Sequence, residues 1–441
     1  MIINFYSRAL FFLIIWVLYL FFMSGYAPLG IEWTSWNFQR IYNFAEYLKM
    51  NGYFSSYGFS VWSKCENCDL RADYWEGGIY LSHNLIFNLP YILINHFFGK
   101  EGLLIFGPIT DKSVIFLTAL FLTEIILDLT KKKYKKFNNF LISFILFLFF
   151  IVNPWTYKMI ITPWYFVYFL FFFVLGILLI LKNKFNFAIF AFVICSFIDE
   201  QSAMGLILFY FLIIKIPYFK NKNLKLESKS IIPILTSEQI KLLFFAFLIP
   251  ALINFSMMLF ASLNLDNVGG SSLLHRIGIS GNDIHNGGLV GSMQFLAGNR
   301  FTSCILNYNG FDLFRDGTPL IKLIEVYNCF LSHFGMFLIS ILSIFGIIIL
   351  YKKNKEYRVI ILPISFLIIS YSAILQQSTS VHLMGYSYLF SVIFALGIMS
   401  IILNILVNKN LNLTKIVLVF PLITGILLLC IRVSMLTGVN G

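Results

Sequence analysis

The sequence predicts an all-α polytopic membrane protein with about eleven transmembrane helices and two large loops on the outer face of the membrane. Composition supports this fold class: of 441 residues, 59% are hydrophobic and only 12% are charged. The mean hydropathy of +0.83 is far above that of a soluble domain. The placement of the lysines also supports it, because short basic tracts between apolar runs are typical of cytoplasmic loops. These tracts are 131–136, 182–184, 220–225 and 351–358.

Each apolar run is predicted to cross the membrane once, with the N-terminus inside. The runs are 9–23, 113–130, 138–153, 163–181, 185–198, 203–219, 241–262, 333–351, 359–375, 383–407 and 416–433. This threading puts every lysine-rich tract on the same side, as the positive-inside rule requires. The first run has no small-residue cleavage site after it, so we expect it to be retained as a span.

The first outer loop, 24–112, is predicted to contain helices that lie along the membrane surface. In the segment 36–52, aromatic and aliphatic residues recur at helical spacing beside charged residues, which predicts an amphipathic helix. The apolar segment 85–98 contains Pro90 and His96 and is about fourteen residues long, short of the approximately 20 that a crossing needs. We therefore expect it to be interfacial or re-entrant.

The chain divides into three predicted regions: a transmembrane module 1–262, a second outer loop 263–332 and a C-terminal transmembrane region 333–441. Cysteine placement agrees with this map, because no cysteine falls in a predicted cytoplasmic loop. Cys65 and Cys68 are interpreted as a tight disulfide or free thiols in preference to a metal site, since no second ligand pair lies near them. The other cysteines are Cys304 and Cys329 in the second outer loop and Cys195 and Cys430 within spans.

Several classes of function are disfavoured. The net charge of +12 would suit a nucleic-acid partner, but the basic tracts lack the interleaved aromatic residues of a binding groove, so none is expected. The chain has no Walker A string and no GxGxxG before a helix, so a nucleotide is not expected as the direct substrate. Transport is the weaker class, because Glu124 and Asp128 are interpreted as a pair at the inner end of a span that is either solvated or snorkelling towards the membrane surface.

Carboxylates in the outer segments are the candidate catalytic groups. Glu32 follows the first predicted span closely, where a carboxylate could take the proton from an acceptor hydroxyl that attacks an anomeric carbon. The alternative is an interfacial residue that only solvates the loop. Asp199 and Glu200 stand in a tight outer hairpin. They fit hydrogen bonding to sugar hydroxyls, the binding of a divalent cation, or capping of the helix that starts at Ser202.

Basic residues and one histidine are the candidate substrate-binding groups. Lys158, in the short outer loop 153–164, suits a lipid phosphate or an interfacial anchor. In the second outer loop, Arg276 and Arg300 could neutralise a pyrophosphate leaving group or be ordinary surface charges. His382 begins a late span at the outer surface and could join the same pocket or cap that helix.

This layout resembles the GT-C superfamily of polytopic glycosyltransferases, which use polyprenyl-phosphate-linked sugars on the outer face of the membrane. The resemblance covers about residues 1–260 in arrangement. It implies that Glu32 is the catalytic carboxylate, where the family commonly has Asp, and that Asp199 or Glu200 assists it. It also implies that Lys158 and Arg40 are candidates for the donor phosphate and that transfer inverts the anomeric carbon.

The same resemblance implies a polyprenyl-phosphate-linked sugar donor, a glycan or glycolipid acceptor and a location in the cell (inner) membrane. The sequence establishes no cofactor, and a divalent cation at the acidic hairpin is the one candidate. Two alternatives stay open. One is an O-antigen-type polymerase or ligase that uses pyrophosphate-linked oligosaccharides, which the segments HRIGISG and GNRF favour. The other is a transporter of lipid-linked substrates.

Overall fold

The computed structural model of the protein describes a helical core and parts of the predicted outer loops. The described residues are 5–24, 41–49 except 43 and 47, 59–61, 79–130, 139–161, 166–198, 236–264, 268–269, 335–352 except 336, 357–365 except 359, 387–407 and 422–433. The predicted span 203–219 lies outside them.

Helices dominate this part of the chain, which confirms the α-helical class. They are α1 Phe5–Ser24, α2 Leu85–Thr130, α3 Asn139–Val152, α4 Pro154–Ile161, α5 Phe166–Leu181, α6 Phe185–Ile198, α7 Ser237–Asn264, α8 Phe337–Lys352, α9 Ser387–Val407 and α10 Leu422–Val433. A small sheet of three strands departs from the all-α prediction: β1 Phe59–Val61, β2 Ile79–Asn84 and β3 Val268–Gly269.

Two helices of the described part are long and apolar enough to cross a membrane: Phe5–Met23 within α1 and Glu238–Met257 within α7. The other apolar helices, among them α5 and α6, are shorter, and α9 falls short of the required length over Leu389–Asn404, the stretch whose side chains are described. This finding is consistent with a membrane location. The number of about eleven spans stays a prediction.

The centre of the molecule is formed by α3, α5 and α9. Nearly every side chain of α9 between Leu389 and Leu403 is buried, and α3 and α5 bury most of theirs. Helices that are apolar on all sides belong in such interior positions. Stacked rings join α1 to this core, with Phe12 lying 4.5 Å from Phe147 between ring centroids.

Two glycine contacts bring helices of the core unusually close. A Cβ built on Gly346 of α8 would fall on the carbonyl group of Gly397 in α9, and one on Gly397 would fall on the carbonyl group of Ser343. Small residues at a crossing let two backbones approach, which is a common way to associate helices in membranes. Similarly, a Cβ on Gly176 of α5 would lie 2.6 Å from the Phe192 ring of α6.

Helix α2 is kinked at Gly99, where φ is 67° and ψ is −165°. The kink separates a short arm, residues 85–98, from a long arm, residues 100–130. The segment 85–98, predicted to be interfacial or re-entrant, is helical and forms the short arm; its position relative to the membrane stays a prediction. The following helix begins earlier than the predicted 113, because the long arm is helical from Lys100 onwards.

The amphipathic helix predicted at 36–52 is confirmed over the described positions between 41 and 49, which are helical. We call it the surface helix. Its buried residues fall at the spacing of one helical face, while Lys49 is exposed. They are Ile41, Phe44, Ala45 and Leu48. The helix lies against the short arm, since Asn95 donates a hydrogen bond of 2.8 Å to Glu46.

One end of the helix bundle is defined by two ion pairs, and we call it the ion-pair end. Arg8 of α1 binds Glu124 of α2 at 2.6 Å, and Lys182, just after α5, binds Asp128 of α2 at 2.5 Å. The expected solvation of Glu124 is wrong: the residue is 6% exposed because Arg8, far away in sequence, covers and neutralises it. Both acids nevertheless lie near a helix end, as predicted.

The three-stranded sheet lies at the opposite end, the sheet end. Helices α6 and α7 run parallel, because Ser196 and Phe197 of α6 bond to Phe247 and Asn254 of α7. Since α6 starts just after the ion-pair residue Lys182, both helices end away from the ion pairs. Strand β3 follows the end of α7 and pairs in parallel with β2, with Ile79 opposite Val268.

The sheet joins the two predicted outer loops. Strand β2 belongs to the first of them, 24–112, and pairs with both β1 and β3. Strand β3 belongs to the second, 263–332. The two loops therefore share one end of the bundle, as the predicted threading requires.

Candidate functional site

Most of the candidate site residues lie outside the described part of the chain. They are Glu32, Arg40, Asp199, Glu200, Arg276, Arg300 and His382. Lys158 falls within α4, but its side chain is not described. The structure therefore neither brings these residues together nor separates them, and the roles assigned to them stay predictions.

The helix ends next to these residues in sequence do lie at the sheet end. Helix α1 starts near the ion pair of Arg8 and ends at Ser24, shortly before Glu32. Helix α6 ends at Ile198, directly before Asp199. Helix α9 begins at Ser387, shortly after His382, and its first turns contact α4.

Among the described residues near the sheet end, Asp111 is a buried acid that two tyrosines contact, forming the Asp111 cluster. Its carboxylate accepts hydrogen bonds from the phenol groups of Tyr91 and of Tyr168, the latter at 2.8 Å. Asp111 is only 2% exposed. It lies about 25 Å along the long arm from Asp128 at the ion-pair end. The cluster ties the short arm, the long arm and α5 together.

Burial and the nearby carboxylate keep the Tyr91 phenol of this cluster protonated. Burial raises the pKa of Tyr91 well above its ordinary value, and the nearby Asp111 carboxylate raises it further, so Tyr91 stays a donor. The adjacent Lys112 is partly buried. Burial lowers the pKa of Lys112, while the charge of Asp111 opposes that change.

Sequence reasoning missed Asp111 because its partners are 20 and 57 residues away along the chain. The residue also stands just before a predicted span, in a segment taken as loop. One signal was available, since an acidic residue beside a long apolar run is a candidate functional group in a membrane protein.

The segment 153–164, predicted as a short outer loop, contains the helix α4. Asn153 and Pro154 account for it, because Asn is a preferred N-cap residue and Pro suits the first helical position. The Asn153 side chain accepts a hydrogen bond of 2.9 Å from the Thr156 amide. It also donates to the carbonyls of Phe149 and Phe150 at the end of α3. Lys158 is therefore carried on a short helix.

Helix α4 is fixed against α9 by aromatic packing. The Trp155 ring lies 5.3 Å from that of Phe390 and 5.6 Å from that of Phe394, measured between centroids. The Asn153 side chain also reaches the carbonyl of Ser391 at 3.4 Å. These contacts hold α4 at the point where α3 ends and α9 begins.

Three buried hydroxyl groups in this region have no hydrogen-bond partner among the described residues: those of Tyr19 on α1 and of Thr156 and Tyr157 on α4. The Tyr19 phenol interacts electrostatically with Tyr157 and with Cys430 of α10. Burial raises the pKa of Tyr157 to about 12, so the group is a neutral donor at physiological pH. An unsatisfied buried polar group costs about 1–3 kcal/mol.

No cluster of three or more His, Cys, Asp or Glu side chains among the described residues could hold a metal ion. The acidic hairpin considered for a divalent cation lies outside them. Cys195 and Cys430 are buried within α6 and α10, helices that fall in two of the predicted spans.

Comparisons with known proteins give no assignment. No protein-family model matches the chain, and neither a curated protein nor a solved structure matches it. The likeness to the GT-C superfamily therefore rests on the arrangement of the chain's own segments and stays a prediction.

Proposed function

We propose that the protein is a membrane glycosyltransferase of the GT-C type, which moves a sugar from a polyprenyl-phosphate donor to a glycan or lipid acceptor on the outer face. The observation that carries this proposal is the contrast between the two ends of the bundle. The ion-pair end adjoins lysine-rich tracts, whereas both large outer loops share a sheet at the other end.

The surface of the molecule supports a bilayer environment. On the short arm, Asn88, Tyr91 and Asn95 are buried while Leu89 and Phe97 are exposed, the reverse of a helix in water. Helices α1, α7 and α8 also expose rows of large apolar side chains. Apolar faces of this extent would be costly in water. They support the proposal of a polytopic protein with about eleven spans.

The positive-inside rule gives the orientation. The tract 182–184 includes the ion-pair residue Lys182, and the tract 131–136 directly follows the end of α2. Basic tracts of this kind stay in the cytoplasm. The sheet end then faces outwards, and the site of the reaction is the outer surface of the cell (inner) membrane.

In the proposed mechanism, Glu32 takes the proton from an acceptor hydroxyl. The resulting oxygen attacks the anomeric carbon as the bond from that carbon to the phosphate oxygen of the donor breaks, and the polyprenyl phosphate leaves with the bonding electrons. The configuration at the anomeric carbon inverts. Lys158 and Arg40 would stabilise the negative charge that develops on the phosphate.

The remaining candidates take supporting roles in this proposal. Asp199 or Glu200 would bind sugar hydroxyls or hold a divalent cation. Arg276, Arg300 and His382 would contact the substrate from the second outer loop and from the start of α9. The Asp111 cluster would keep the short arm, and with it the surface helix, fixed against the bundle beneath the site.

The test is sugar transfer in proteoliposomes from a panel of polyprenyl-phosphate sugars to extracted cell-surface glycolipids. Glu32→Gln removes the base with almost no change of shape and is expected to lower the rate at least about 100-fold. Glu238→Gln is the matched control, because Glu238 is exposed at the start of α7, far from the sheet end. Transfer at the wild-type rate by Glu32→Gln would contradict the proposal.

A polymerase or ligase is the alternative function, because the pairing of β3 with β2 brings the second outer loop next to the first. HRIGISG and GNRF, which contain Arg276 and Arg300, follow β3 in sequence. Extension or ligation of pyrophosphate-linked oligosaccharides, abolished by Arg276→Ala or Arg300→Ala and unaffected by Glu32→Gln, would favour this alternative.

A further inference from the structure

The buried tyrosines near the sheet end fall into two groups that differ in their hydrogen bonding. Tyr91 and Tyr168 both donate to Asp111. The hydroxyls of Tyr19 and Tyr157 are also buried, yet neither has a hydrogen-bond partner in the part of the chain that the structure describes. Thr156, next to Tyr157, has a third buried hydroxyl without a partner. In native proteins almost all buried hydroxyl groups have a hydrogen-bond partner. This unpaired set therefore indicates that a bound molecule supplies the missing partner.

These hydroxyls come from elements that converge towards the sheet end. Tyr19 lies about 17 Å along α1 from Arg8 at the ion-pair end, and α4 follows the end of α3. Cys430, which interacts with Tyr19, lies near the end of α10. The surroundings are aromatic, because the Trp16 ring lies 6.1 Å from that of Tyr19 and Trp155 precedes Thr156.

We infer that Tyr19 and Tyr157 form a neutral binding site for a hydroxyl group of the sugar carried by the lipid-linked donor. A phenol hydroxyl donates and accepts hydrogen bonds at once, as the alcohol group of a sugar does. A phosphate would instead call for a cation, whereas the groups that interact with Tyr19 in the described part, Tyr157 and Cys430, are uncharged side chains.

A binding site that encloses the sugar is also consistent with the proposed transfer reaction. Sites for small molecules are mostly apolar and aromatic with a few placed polar groups, and shielding a reactive sugar from water prevents its hydrolysis. The inference rests on the proposed function, since it names the residues that recognise the sugar that the enzyme transfers. It adds a sugar subsite within the helices to the carboxylates and cations of the outer segments.

The test measures binding separately from turnover. The full-length protein in phosphatidylethanolamine and phosphatidylglycerol nanodiscs is titrated with short-chain prenyl phosphates that carry a hexose, a pentose or no sugar, and tryptophan fluorescence is followed. Tyr19→Phe and Tyr157→Phe are each expected to weaken binding of the preferred sugar-bearing probe about tenfold. Neither should change the affinity for the sugar-free probe. Tyr357→Phe, a buried tyrosine in the tract 351–358, is the matched control.

Each other outcome overturns the inference in a recognisable way. An equal loss for the sugar-free probe would assign the hydroxyls to the phosphate. Unchanged affinities, with higher thermal stability of the variants, would mean that the hydroxyls hold only water; sugar transfer by the wild type would then leave the proposed function standing. No binding of any probe to the wild type, together with no transfer, would overturn the proposed function as well.

Discussion

At the scale of single residues, the described part of the protein depends on a few polar side chains placed within an apolar bundle. Asp111 accepts two phenol hydrogens, and Glu124 is neutralised by Arg8. The sequence drew attention to Glu124 but not to Asp111. It could not identify their partners, because both contacts join helices that are distant along the chain and depend on how the bundle assembles.

The Asp111 cluster gives the first prediction. Tyr168→Phe removes one hydrogen bond to a carboxylate and is expected to lower the free energy of unfolding by about 1–3 kcal/mol. Asp111→Ala leaves two buried phenols without their acceptor and should lower the free energy of unfolding by more than Tyr168→Phe does. The measurement is reversible unfolding in mixed micelles, arranged as a double-mutant cycle. Strict additivity of Asp111→Ala and Tyr168→Phe would contradict the predicted coupling.

The pair of Arg8 and Glu124 gives the second prediction. Removing one partner leaves an uncompensated, largely buried charge, so Arg8→Met is expected to destabilise the fold by about 3–5 kcal/mol. The double variant Arg8→Met with Glu124→Leu should recover much of that loss, because no lone charge remains. Unfolding of the single and the double variant in the same micelles measures this. Equal instability of the single and double variants would show that the charge itself is not the cause.

At the scale of elements, the periodicity of the sequence predicted the surface helix. It predicted neither the kink in α2 nor the three-stranded sheet. Residues 41, 44, 45 and 48 form the buried face of the surface helix, as their spacing indicated. The kink at Gly99 depends on one backbone angle, and the pairing of β2 with β3 joins strands far apart in sequence. Neither leaves a local pattern in the sequence.

Gly99 provides the third prediction. Its combination of φ 67° and ψ −165° is essentially restricted to glycine, so Gly99→Ala is expected to cost about 1–3 kcal/mol in stability. Steric clash does not contribute, since a Cβ there would have nothing within 4 Å. Gly425→Ala is the matched control: a Cβ there also has open space, but α10 is regular helix, where alanine is favoured. Equal effects of the two substitutions would contradict the account of the kink.

The crossing of α8 and α9 provides the fourth prediction. Gly346→Ala would place a methyl group against the Gly397 backbone, so the helices must separate. Because backbone cannot yield as a flexible side chain does, we expect a loss of thermal stability clearly larger than that of Gly425→Ala. Thermal unfolding of the two purified variants in detergent compares them directly, and a Gly346→Ala protein as stable as the control would argue against the close contact.

At the scale of the whole molecule, the distribution of charge and apolar surface carries the functional proposal. The apolar faces of α1 and α7, the lysine-rich tracts and the shared sheet are properties of the assembled bundle. The sequence predicted the helical class and the two outer loops from composition and lysine placement. The candidate catalytic residues followed from position along the chain alone, whereas Asp111, Tyr19 and Tyr157 required the packed helices.

The outward orientation of the sheet end is the feature on which the proposed function depends most. It is tested most directly by labelling with a membrane-impermeant maleimide in intact cells, in a background without native cysteines. Two exposed lysines make a matched pair: Lys49 on the surface helix and Lys184 at the ion-pair end. The account predicts that Lys49→Cys is labelled in intact cells and Lys184→Cys only after permeabilisation. Labelling of Lys184→Cys from outside, with Lys49→Cys protected, would reverse the orientation and contradict sugar transfer at the outer face.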